Sequence, residues 1–302
     1  MRAIPAATLL ATLLALTACR TVLPAPGDGA AAPAPVPAPA AQAAADDNLN
    51  AVLWVQRSEE YRANALAIYR AAAARLDAAL ADPHWDALAP GERAATAPAE
   101  GLRPAVILDI DETVLDNSPY QARLVADGRE YDEDTWADWV MEKKARPVPG
   151  VLEFARAAEA RGVTLIYLSN RAAHLKDATL ANLREAGLPV KDESVFLGLG
   201  TPVEGCEQRG SEKKCRRLLV GRQYRVLMQF GDQLGDFVEI TSNTPEARAA
   251  LMERYGDWFG ERWWMLANPT YGGWEPARFG NAWGKPREAR RELKRQALDT
   301  AR

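Results

Sequence analysis

Apolar and polar positions follow two rhythms along most of this chain. From Asn48 to Leu80, Leu53, Trp54, Tyr61, Ala65, Ile68, Tyr69 and Leu76 recur at helical spacing, which predicts one amphipathic helix ended by Asp82-Pro83. Residues Pro90 to Pro104 read as loop. A short apolar run follows, Ala105 to Leu108 with Ile110, and reads as a buried strand. Asp132 to Ala145 reads as a helix with Asp134 as N-cap, broken by "RPVPG". Val151 to Arg161 is a further helix, closed by Gly162, and Val163 to Arg171 a second strand. "KDATLANLREAG" reads as a helix stopped by Gly187, and Val195 to Leu199 as a third strand. "RRLLVGRQ" reads as a helix, "YRVLMQFGDQLGDF" starts as a fourth strand, and "WWMLANPTYGGW" gives a fifth strand running into a turn-rich loop. The basic tail from Lys285 to Arg302 reads as a solvated helix. This alternation predicts an α/β fold, a doubly wound parallel sheet with a smaller helical subdomain and a helical N-terminal part. There are no internal repeats.

Composition narrows the partners. The chain has 302 residues, 48% of them hydrophobic, and a formal net charge of -4. That balance argues against a nucleic-acid polymer as partner, which needs a basic face. The first residues are set apart from the fold. Arg2, the apolar stretch Ile4 to Leu16 and then "LTAC" read as a secretory signal over residues 1–18. Small residues leading into Cys19 resemble a bacterial lipobox, which implies a diacylated Cys19 holding the protein to a membrane; cleavage of an ordinary signal near Ala18 is the alternative. Arg20 after that cysteine resembles an outer-membrane sorting pattern, so the expected location is the bacterial cell envelope. Residues 19–46 are rich in Pro and Ala and read as an extended tether, leaving residues 47–302 as the folded domain. Cys206 and Cys215, an even pair in an exported chain, are expected to form a disulfide; two free thiols are the alternative. With only two histidines, zinc is not expected.

Candidate chemistry collects at the strand ends, where open parallel sheets bind ligands. The groups are Asp109, Asp111 and Thr113; Ser169, Asn170 and Arg171; Lys213 or Lys214; and Asp232 and Asp236 in "GDQLGD". One Asp-x-Asp is a weak signal. Four polar strand ends in this order are a strong one. Together, "ILDIDETVLDNSPYQ", "VPG", "YLSNR", "GDQLGDF" and "NPTYGGWE", with the N-terminal "NAVLWVQRSEEYRA", resemble the haloacid-dehalogenase-like phosphatases, and among them the bacterial lipoprotein (class C nonspecific) acid phosphatases. The resemblance runs from Asn48 to Trp274. It departs around Thr201 to Gly210, where the cysteine-bearing loop looks like an insertion, and at "EKKCRR", where the family usually reads Asp-Lys-Ser. That makes Lys213 the expected catalytic lysine and Lys214 the alternative.

The resemblance implies an acid phosphomonoesterase of broad specificity that depends on Mg²⁺ or another divalent cation, with nucleoside 5′-monophosphates as plausible substrates. Asp109 would be nucleophile and metal ligand, passing through an aspartyl-phosphate. Asp111 would be general acid and base, and its main-chain carbonyl a second ligand. Asp232 would be the third ligand, and Asp236 would orient the metal's waters. Ser169, Asn170 and Lys213 would hold the phosphoryl oxygens, Thr113 would fix the loop after the nucleophile, and Tyr271 would line the substrate pocket. Glu112 and Asp116 read as loop or capping residues, and Arg171 as a phosphate contact or a salt bridge. Trp136, Trp139 and Trp274 read as core aromatics. Transfer to an alcohol acceptor, and a catalytically silent surface-binding lipoprotein, are the competing functions. A homodimer is left open.

Overall fold

The structure, a computed structural model, describes residues 47–301 except Ala97. The signal segment, Cys19 and the tether lie outside the described residues.

The stretch expected to be one helix is two, α1 (Leu49–Arg57) and α2 (Glu59–Ala81). Ser58 separates them. Its backbone is extended, and its hydroxyl accepts from the Tyr61 N–H at 3.1 Å. A serine there supplies an orphan N–H of the new helix with an acceptor, and Glu59 and Glu60 suit the positive end of its dipole. The expected loop carries a short helix, α3 (Pro90–Ala94), before β1 (Arg103–Leu108). A two-stranded ribbon, β2 (Leu115–Asp116) with β3 (Arg146–Pro147), encloses α4 (Ser118–Asp127) and α5 (Glu133–Glu142). The cap of α5 is Asp132 rather than Asp134: its carboxylate accepts from the N–H groups of Asp134 and Thr135, each at 3.2 Å. Next come α6 (Val151–Glu159), β4 (Thr164–Ala172), α7 (Lys176–Glu185), β5 (Phe196–Leu199), α8 (Lys214–Gly221) and β6 (Tyr224–Gly231). The chain ends with α9 (Pro245–Tyr255), β7 (Trp263–Met265) and α10 (Arg287–Gln296).

Five strands form one parallel sheet in the order β5-β4-β1-β6-β7. β1 is central. Its apolar run is near-continuous because both faces are covered. Alternate residues of β6 show the two sides. Phe230 packs with Tyr69 of α2 and Phe154 of α6, at ring separations of 5.4 and 4.5 Å. Its neighbour Gln229 instead donates to the carbonyls of Ala87 (2.6 Å) and Phe237 (3.4 Å). Of the aromatics expected in the core, Trp139 is buried, whereas Trp274 is 43% exposed.

The register positions the chemistry. Leu108 lies opposite Tyr167 on one side and Phe230 on the other. Just beyond this register the three strands present side chains at the carboxyl end of the sheet: Asp109 directly after β1, Ser169 two residues past Tyr167 within β4, and Asp232 directly after β6. The loop after β1 is held from below the sheet edge by α2, whose Tyr69 O–H donates to the Thr113 carbonyl at 2.7 Å. Cys206 and Cys215 are disulfide-bonded, their Cα atoms 5.6 Å apart, and the bond joins the loop before α8 to its first turn.

Candidate active site

Asp109 is 6% exposed at the end of β1, and its N–H donates to the Phe230 carbonyl at 3.0 Å. One carboxylate oxygen meets the Lys213 ammonium, and the other accepts from the Thr113 hydroxyl at 3.3 Å. Lys213 is buried too and bridges to Asp236 at 2.6 Å. Its neighbour Lys214 points elsewhere and pairs with Glu239 at 2.7 Å. The choice between the two lysines is one of helix phase: only Lys213, just before α8, faces the strand ends.

Asp232 accepts from the Asn268 side-chain amide at 2.7 Å. Asp236 accepts from the Gln233 N–H at 2.9 Å. Oxygens of Asp109, Asp232 and Asp236 all lie within 4.8 Å of one another. Two of the three carboxylates, Asp109 and Asp236, share the Lys213 ammonium, and Asp232 has no cation in contact among the described residues. Burial pushes the Asp109 carboxyl up to about 7, with Asp236 and Asp111 adding to it and Lys213 opposing. Burial also holds Asp232 well above the usual carboxylate range, reinforced by Asp236 and Asp109. One ammonium among three acids leaves the cluster short of positive charge, and its all-oxygen donor set fits a hard divalent cation.

Asp111 turns its carboxylate away from this cluster. Its Oδ1 accepts from Arg171 Nε (2.9 Å), Arg171 Nη2 (2.8 Å) and Asn117 Nδ2 (2.9 Å), while Oδ2 accepts only from the Ser169 hydroxyl, at 3.3 Å. Arg171 is therefore a salt-bridge partner of Asp111; it also lies over the Trp136 ring, 5.6 Å from its centroid. Ser169 is fully buried and its oxygen also accepts from the Arg171 N–H at 3.0 Å. Asn170 is exposed, and its side-chain carbonyl accepts from Arg216 at 2.7 Å. The Tyr271 hydroxyl donates to Glu112, whose other oxygen accepts from the Asn117 N–H at 2.7 Å. Burial, then Asp111, pushes Glu112 up to about 8. Glu112 adopts a left-handed backbone, φ 58°, so the loop reverses directly after Asp111.

Four residues of this network lie in the motifs quoted above but were assigned no role from sequence: Asn117, Asn268, Arg216 and Arg217. Arg217 pairs with Glu92 of α3 through two bonds of 2.7 and 2.8 Å and donates to the Gly235 carbonyl at 2.9 Å, beside Asp236. The adjacent arginines after "EKKC" were the available clue.

The sequence model of the HAD superfamily, subfamily IIIB (acid phosphatase), matches residues 30–274. The chain belongs to this family. Among solved structures, the class C acid phosphatase from Bacillus anthracis is 31% identical, with a TM-score of 0.71 over 84% of this chain and 97% of that one. A second structure, the class C acid phosphatase from Bacillus anthracis with tungstate bound, is 32% identical with a TM-score of 0.72 and the same coverage. Plant proteins are more distant. A stem 31 kDa glycoprotein of Glycine max is 27% identical over 168 residues, 55% of this chain and 58% of that protein. Vegetative storage protein 2 of Arabidopsis thaliana is 29% identical over 136 residues, 45% of this chain and 50% of that protein. The chain spans about half the length of the curated relatives it matches.

Proposed function

We propose that this protein is an acid phosphomonoesterase that depends on a divalent cation, Mg²⁺ by the chemistry of its donors. The observation that carries the reading is the buried contact of Asp109 with Lys213 inside a cluster of three carboxylates at the sheet edge. Asp109 and Asp232 would hold the ion, with the main-chain carbonyl of Asp111 as a further ligand. The bound ion supplies charge neutralisation and alignment for two anions that otherwise repel. An Asp109 oxygen attacks phosphorus, the bond from phosphorus to the ester oxygen breaks, and an aspartyl-phosphate forms. Asp111 gives the leaving oxygen a proton. Its Oδ2 is the oxygen for this task, because Arg171 and Asn117 occupy Oδ1. Asp111 then takes a proton from water, whose oxygen attacks phosphorus and releases phosphate with Asp109 restored. Lys213 and Ser169 stabilise the phosphoryl oxygens, Asn170 and Thr113 support that contact, and Asp236 fixes Lys213.

Nucleoside 5′-monophosphates are the proposed substrates, with Tyr271 at the pocket. The test is hydrolysis of 4-nitrophenyl phosphate with and without EDTA, beside an Asp109→Asn variant. Turnover is expected in the wild type only, and only with metal. A variant that keeps more than about 1% of the rate would remove Asp109 as nucleophile.

We propose further, from the signal-like first residues and the lipobox-like stretch before Cys19, that the protein sits in the bacterial envelope, anchored through lipid on Cys19 and sorted to the outer membrane. Cys19→Ala is expected to abolish incorporation of a labelled fatty acid and to release the folded domain from the membrane fraction. Retained label would put the lipid on another residue.

A further inference from the structure

Arg216 is fully buried, yet no carboxylate touches it among the described residues. Its Nη1 donates to the Ser169 carbonyl at 2.5 Å. Its Nη2 donates to Asn170 Oδ1 (2.7 Å), the Glu212 carbonyl (3.2 Å) and the Ser211 carbonyl (3.3 Å). Its Nε has no acceptor among the described residues. A buried guanidinium with only neutral partners is costly. The contrast with its neighbour is sharp, since Arg217 has Glu92 as a bidentate partner. The balancing negative charge for Arg216 lies farther off, in Asp109 and Asp236 of the site and in Glu212.

The four acceptors also span two separate pieces of chain. Ser169 and Asn170 lie near the carboxyl end of β4, whereas Ser211 and Glu212 lead into Lys213. We propose that Arg216 is a positioning residue for phosphate binding: it ties the end of β4 to the segment carrying Lys213, and lends the anion site a positive charge that no protein carboxylate neutralises by contact. The proposal rests on the phosphatase reading above. An incoming phosphate dianion meets three carboxylates at the sheet edge. Lys213 and a divalent ion answer part of that charge, and Arg216 adds a fixed cation that substrate does not have to desolvate. The tie matters as much. Ser169 and Lys213 come from different elements, and their spacing sets the cradle for the phosphoryl oxygens.

The experiment separates charge from geometry with Arg216→Lys and Arg216→Met. Inorganic phosphate binding is measured by calorimetry in the presence of Mg²⁺, and kcat and KM with 4-nitrophenyl phosphate. Arg216→Met is expected to weaken phosphate binding and raise KM by about tenfold or more, as loss of a charge-assisted contribution does. Arg216→Lys keeps the charge but cannot reach four acceptors. It is expected to bind phosphate within about threefold of the wild type while kcat stays down by about tenfold, the cost of a misplaced cradle. A merely structural role would lower stability and move both constants alike in both variants. A folded Arg216→Met protein with wild-type phosphate binding overturns the proposal, as does Arg216→Lys with wild-type kcat. If Arg216→Met does not fold, the Arg216→Lys split alone decides. A wild type that binds phosphate but hydrolyses no ester would refute the phosphatase reading instead, and the binding comparison would still stand.

Discussion

Single residues in this site are placed by close approaches that leave no slack. Gly231, the last residue of β6, lies against Asp236: a Cβ at Gly231 would meet the Asp236 side chain at 2.3 Å. No residue but glycine fits without moving that carboxylate. Gly231→Ala is therefore expected to destabilise the protein by about 1–3 kcal/mol, the usual cost of overpacking. It should also displace Asp236 from Lys213, so metal affinity and turnover fall together. Urea melts and metal titration of the variant check both, and an unchanged metal affinity would show that Asp236 does not serve the ion site. At this scale the carboxylates were legible because acids at the end of an apolar strand stand out. Arg216 and Arg217 were not, because arginine is exposed by default and only the fold reveals two of them at 0% exposure on one helix.

Among elements, α8 joins the most parts of the site. Lys213 precedes it and reaches Asp109 and Asp236, Arg216 reaches β4, and Arg217 reaches α3 and the loop at Asp236. The Cys206–Cys215 bond closes on its first turn. Replacing both cysteines with serine is expected to lower stability by roughly 2–3 kcal/mol, from the entropy of a short closed loop. Turnover should drop with kcat more affected than KM, since the loosened segment carries Lys213. A chemical-denaturation curve identical to the wild type would show that the bond does not constrain the unfolded chain. Elements were legible where burial imposes a period. The strands read clearly because both sheet faces are covered. Ser58 splits the N-terminal helix without interrupting the apolar face, so the spacing alone gave one helix where there are two. α4 and α9 escaped the reading although Asn117-Ser118-Pro119 and Thr244-Pro245-Glu246 are helix starts; α9 buries only Tyr255, and so writes no apolar stripe.

For the whole molecule, the carboxylate cluster sets stability against function. In metal-free protein, burial first of all holds Asp109 at about 7 and Glu112 at about 8. Their ordinary values are 3.8 and 4.5. Both shifts are upward, so between those ordinary values and pH 7–8 the folded chain binds protons that the unfolded chain has released. Stability from these groups is present at the acid end of that window and is lost as pH rises through the folded values. Metal-free protein should therefore melt at a higher temperature near pH 5.5 than near pH 8, until other carboxylates oppose the trend at lower pH. A divalent ion reverses the preference, because it binds the ionised carboxylates and competes with protons. At a hundredfold excess over its dissociation constant, such an ion adds about 2.7 kcal/mol. For a chain of this size that is a rise in Tm of roughly 5–10 °C. The rise on adding Mg²⁺ should be largest near pH 8 and shrink toward pH 5.5. In Asp232→Asn the rise should be lost, while the metal-free Tm at pH 8 goes up, since one of three crowded acids is gone. Scanning calorimetry at both pH values, with EDTA and with Mg²⁺, reads all four quantities. A Mg²⁺-induced shift independent of pH, or one that survives in Asp232→Asn, would place the ion outside this cluster.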